Sequence, residues 1–201
     1  MDGTTLVETL TDDLETELSR LGSSKWLYAL TDGEMTGSAV RTAAAADAAA
    51  AAECFEAWAA DADGGTPDVF TALADTATDR AETADADPTD RRTYETLGDF
   101  EDSVARLGGA LGHSLVLDRT VGQMVGFFVG DADPSTAGTF RDLRDDADAD
   151  RDRIVAALDD RCDSEDDWDH AADAATAVVE ATYDDYVETL ESMGVKPKNV
   201  C

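Results

Sequence analysis

Apolar residues recur along most of the chain at three- and four-residue steps, the spacing of one helix face. No stretch sustains the two-residue alternation of a half-buried strand, so every predicted element is a helix. The pattern is densest from Asp99 to Gly130, where Val104, Leu107, Leu111, Leu115, Val121, Met124, Val125 and Phe128 form the apolar set. Gly108, Gly112, Gly122, Gly126 and Gly130 interrupt it. Glycine in a helix interior costs about 1 kcal/mol relative to alanine. A helix carrying so many is expected to recover that cost by bringing its backbone close to a neighbour. This stretch therefore predicts the central helix of a bundle, beginning as early as Asp90, ending at Gly130 and kinked at Gly98 or at Gly108–Gly109.

The remaining elements follow from stripes, caps and breakers. Leu6, Leu10, Leu14, Leu18 and Leu21 predict a first helix from Thr5 to Leu21, with Thr5 and Glu8 as a capping box. Lys25 to Leu30 is a short apolar segment, and Asp32-Gly33 a turn. An alanine-rich helix runs from Thr36 to Ala62 and stops at Asp63-Gly64-Gly65. Thr66 caps the next helix with Pro67 in its favoured first position; that helix fades near Asp85. Asp133 and Ser164 cap two more, and Asp145 to Arg153, DDADADRDR, reads as a solvated face. Gly194 ends the last helix. Together these predict an all-α fold, a single domain over 1–201 built as an antiparallel bundle of five to six helices, with a short tail over 195–201.

A membrane span needs about 20 apolar residues. The run from Val121 to Gly130 is half that and contains Gln123, so no span is expected.

Composition changes the picture of the surface. The chain holds 33 Asp and 13 Glu against 12 Arg and 3 Lys, for a formal net charge of -31. An apolar content of 43% with clear periodicity favours a folded protein under a carboxylated surface over a disordered chain. This balance resembles that of cytoplasmic proteins in extreme halophiles, where molar salt shrinks the Debye length to about 3 Å and screens self-repulsion. The acidity then reflects environment, and direct binding of nucleic acid is not expected, since no basic stripe is present. Cys54, Cys162 and Cys201 form no metal or disulfide spacing and read as reduced thiols of a cytoplasmic protein. The N-terminus shows no secretory pattern.

A helical bundle raises the question of a di-metal carboxylate centre, which takes a Glu from each of two helices and an ExxH pair from each of two others. The chain has two histidines. Ala110 lies three residues before His113. Asp167 and His170 make a DxxH, though in a first turn where Asp167 already serves the cap. The candidate metal ligands are Asp47, Glu53, Asp79, Glu82, His113, Asp167 and His170, with iron or manganese as the metal. No nucleophile elbow, phosphate-binding loop or dinucleotide fingerprint is present.

The segments RLGSSKWLYALTDGEM (20–35), ECFEAWAAD (53–61) and YDDYVETLESMGVKPKNVC (183–201) resemble a halophilic archaeal family carrying rubrerythrin-like or ferritin-like labels, some members being called transcription anti-termination proteins. The resemblance implies a four-helix core and, in active members, two ExxH pairs. The chain departs there, with Asp79-Arg80-Ala81-Glu82 and Ala110-Leu111-Gly112-His113 in place of both. The expectation is a non-enzymatic regulatory or interaction protein with protein partners. The alternatives are a metal-binding oxidoreductase or iron-storage relative with a reduced site, and a homodimer formed through Gly122, Gly126 and Gly130.

Overall fold

A computed structural model describes residues 1–61 and 66–197. Among them are nine helices and no strand: α1 (Gly3–Asp13), α2 (Glu15–Leu21), α3 (Ser24–Leu30), α4 (Gly37–Asp61), α5 (Pro67–Ala81), α6 (Arg92–Gly98), α7 (Ser103–Gly130), α8 (Pro134–Arg161) and α9 (Glu165–Ser192). No helix among the described residues is long and apolar enough to cross a membrane. The Gly64-Gly65 stop, Cys201 and most of the tail over 195–201 lie outside the described residues.

Several predicted boundaries move, each for a local reason. The first predicted helix divides at Leu14, whose backbone leaves the helical region. Its N-cap is Asp2, which accepts from the Thr5 amide at 2.8 Å, and Thr5 lies inside the helix, so the Thr5–Glu8 capping box does not form. Thr66 precedes α5 without a side-chain cap bond; its hydroxyl is buried and unpartnered. The central helix does not start at Asp90. Residues 92–98 form the separate α6, and α7 begins where Asp102 accepts from the amides of Val104 and Ala105. No break occurs at Gly108–Gly109. Asp133 and Ser164 cap α8 and α9 as predicted, the latter in a full capping box with Asp167. Asp32-Gly33 is a left-handed turn with φ of 47° and 82°.

α7 is the element around which the others pack, with Leu107, Ala110, Leu111 and Phe128 completely buried. The closest helix pairs are α4–α5, α7–α8 and α7–α9. Phe128 stacks on Phe140 at 5.1 Å and Arg144 reaches Asp118 at 2.8 Å, so α8 runs antiparallel to α7. Phe55 meets His113 while Gly37 lies beside Phe128, so α4 is also antiparallel to α7. The chain reverses again between α8 and α9, so α9 runs in the same direction as α7. Gly108 sits against Ala171 and Gly112 against Ala175, a register that rises along both chains and makes α7 and α9 parallel. A Cβ on Gly108 would fall 2.3 Å from the Ala171 carbonyl oxygen, and one on Gly112 would fall 2.4 Å from that of Ala175. Those two glycines make the close approach that the sequence pattern required. Gly126 and Gly130 face open space, and Gly122 has only Arg144 at 3.9 Å.

α4, α5, α7 and α8 thus surround a common interior, and α9 covers the opposite side of α7. α1 docks on α8, where the Gly3 amide donates to Asp159 at 2.7 Å. α3 and α6 close the ends of the interior through Trp26 and Tyr94.

Candidate functional site

The alanines that make α4 a thin helix also leave it short of reach. Ala44, Ala48 and Ala51, with Ala77 on α5, border a cavity of about 40 Å³ between α4, α5, α7 and α8. A second cavity, of about 30 Å³, lies on the side of α3, α6 and α9. Asp47, His113, Leu117 and Thr120 border both. The interior is therefore divided by His113 and lined at that level by polar groups from several helices.

His113 is 8% exposed and meets the Phe55 ring edge-on at 5.7 Å and the Tyr94 ring at a tilt at 6.0 Å between centroids. Among the described residues, neither of its ring nitrogens has a hydrogen-bond partner. Burial, reinforced by the nearby Arg80 guanidinium, pushes its pKa down to about 4, so the ring is neutral near pH 7. Thr120, two turns further along α7, accepts from the indole N–H of Trp26 at 3.0 Å. Its own hydroxyl hydrogen remains available.

Two ion pairs flank this histidine, one buried and one part-buried. On one side Arg80 Nη2 donates to Asp150 Oδ2 at 2.6 Å, and Arg153 donates to the other oxygen at 2.7 Å. The Thr76 hydroxyl adds a bond to Asp150 at 3.3 Å. Burial raises the Asp150 carboxyl pKa, and the two arginines oppose the rise. Arg80 Nε is buried with no acceptor. On the other side Arg91 donates to Asp47 and lies over the Trp26 ring, 5.7 Å from its centroid. Desolvation raises Asp47, with Arg91 and the Tyr94 hydroxyl pulling the other way. The Tyr94 phenol is driven well up by burial and by the charge of Asp47.

Of the sequence candidates, Asp47 and His113 come together. Glu53, Asp79 and Glu82 are exposed on the outer faces of the α4–α5 hairpin. Asp167 is engaged in the α9 capping box, and His170 bonds Asp102 at 2.8 Å on the surface. Among the described residues no three His, Cys, Asp or Glu side chains converge as metal ligands. Arg80 and Arg91 line the two spaces that His113 borders. The residues present do not fit a paired iron or manganese centre. Cys54 and Cys162 are free thiols, each pushed up to about 11, chiefly by burial, so neither is a thiolate near pH 7.

Sequence reasoning missed Arg80, Arg91, Tyr94, Thr120 and Asp150. Two of these carried a readable signal. Arg80 continues the Phe70, Leu73, Ala77 stripe, and Asp150 falls between Ala147 and Ile154 on the buried face of α8. The DDADADRDR run is thus solvated except at Ala147 and Asp150, which face inward, with Arg151 and Asp148 part-covered.

The arrangement is suited to holding a small occupant. It lacks an activated nucleophile, and its carboxylates are already partnered. Compared with known proteins, the chain matches no family model, no curated protein and no solved structure.

Proposed function

We propose that the protein is a non-enzymatic regulatory or interaction module of a salt-rich cytoplasm, ferritin-like in its central helices and acting through protein partners, with a connection to transcription as the specific case. The observation that carries this reading is the pairing of the ionisable groups around the interior, buried Arg80 with Asp150 and part-buried Arg91 with Asp47. Paired in this way they organise the interior, and the carboxylates of both pairs are held by guanidinium groups. The net charge of -31 favours protein partners over nucleic acid. Self-association through Gly122, Gly126 and Gly130 is one form such an interaction takes, since the backbone at Gly126 and Gly130 is open.

The test is titration of the protein, in about 2–3 M KCl, against purified transcription components of a halophilic archaeon. A specific, saturable complex supports the reading. Turnover of a redox substrate by the purified protein, with no complex formed, overturns it. Light scattering on wild type and Gly126→Leu addresses self-association. A dimer that the substitution dissociates supports this face, and a dimer that survives it places the contact elsewhere.

A further inference from the structure

We propose that the cavity beside His113 is a binding site for a small monovalent anion of halide size. The first argument is the donor inventory. His113 is more than nine-tenths buried, borders the cavity and has no hydrogen-bond partner among the described residues. Arg80 borders the same cavity and leaves its buried Nε without an acceptor. The Thr120 hydroxyl accepts from Trp26 and has its own hydrogen to give. Leaving a buried donor unpaired costs about 1–3 kcal/mol. The buried Arg80 Nε, with the unpartnered His113 ring beside it, therefore creates a demand for an acceptor that the protein does not supply.

The second argument is charge. Arg80 lines the cavity and its partner Asp150, shared with Arg153 and Thr76, does not, so the pair presents its positive end to the cavity. Asp47 is the one carboxylate on the lining, and it is engaged by Arg91. A cation would be repelled by Arg80 and find no free carboxylate.

The third argument is size. A cavity of about 40 Å³ exceeds the roughly 10–15 Å³ that one water requires and falls well below the roughly 150 Å³ that admits a benzene ring. Its remaining walls are alkyl groups such as Ala48, Ala51 and Leu117, which a weakly hydrated anion tolerates better than a strongly hydrated one. The inference does not depend on a protein partner and stands apart from the regulatory reading.

The test uses the full chain in about 2 M potassium glutamate, whose anion is too large for the cavity. Potassium bromide replaces glutamate up to about 0.1 M at constant ionic strength. Wild type is expected to show a saturable rise in Tm, about 4 °C at tenfold excess over Kd. His113→Phe, which removes a donor, and Ala48→Val, which narrows the cavity, should lose the saturable part. An anomalous bromide peak within hydrogen-bonding distance of His113 and Arg80 in crystals grown with bromide supports the site. Ordered water alone at that position, or a bromide response equal in wild type and both variants, overturns it.

Discussion

Asp150 lies in the most charged stretch of the chain, yet it is 4% exposed and takes bonds from Arg80, Arg153 and Thr76. Its neighbours Asp146 and Asp152 are exposed. Removing one member of a buried pair leaves the other desolvated and costs about 3–5 kcal/mol. Asp150→Ala should therefore lower stability by that amount in denaturant titration at fixed salt, while Asp152→Ala changes it by less than about 0.5 kcal/mol. His113 gives a second residue-scale consequence. Its folded pKa of about 4 lies below the ordinary imidazole value of 6.5, so the unfolded chain takes up a proton that the folded one refuses. The resulting stability is present above about pH 6.5 and is lost as pH falls toward about 4. Between about pH 7 and about pH 5 the loss should be about 2 kcal/mol. His113→Gln should flatten that slope, and a persistent slope in the variant would assign it to other groups. Asp47 and Asp150, whose pKa values are raised, act in the opposite sense, favouring the folded state as they protonate at lower pH.

At the scale of elements, five of the six glycines of α7 divide into two groups that the sequence presents as one, Gly109 lying instead against the Phe100 ring. Gly108 and Gly112 touch the α9 backbone, which cannot yield as a flexible side chain would. Gly108→Ala or Gly112→Ala should each cost about 1–3 kcal/mol or more, because a Cβ must force the helices apart. Gly126→Ala, facing open space, should instead stabilise the monomer by about 0.5–1 kcal/mol through helix propensity. Thermal unfolding of the three variants separates the two groups. Helix existence was legible throughout, since leucine and valine spacing records which face is buried. The positions of α5, α8 and α9 and the caps at Asp133 and Ser164 could be read for the same reason. Three features escaped. The Leu14 break and the separation of α6 from α7 involve no proline and depend on how the segments dock. The parallel contact of α7 with α9 depends on a partner more than sixty residues away along the chain, which local periodicity does not encode. The site was half legible. Asp47 and His113 were visible as types, whereas their arginine partners looked like ordinary surface cations until the helices were assembled.

The whole molecule carries a net charge of -31 on a fold with a continuous core running from Leu6 to Leu190. Such a charge strains the compact state in dilute buffer and is relieved as salt screens it. Near-UV circular dichroism should report a packed core in about 2 M KCl and a progressive loss of that signal on dialysis to about 0.05 M. A core signal unchanged by dialysis would show that the acidic surface is tolerated without salt. The two halves of the molecule also differ in how they are joined. α7 and α9 meet backbone to backbone, whereas α4 and α5 pack closely on each other and face α7 across the alanine-lined cavity. Local opening is easiest where few atoms must separate. In amide hydrogen exchange, α7 and α9 around Gly112 and Ala175 should therefore open only with global unfolding, and α4 and α5 should open earlier, as a pair. The alanines that create the interior space thus also mark the seam along which the molecule parts first.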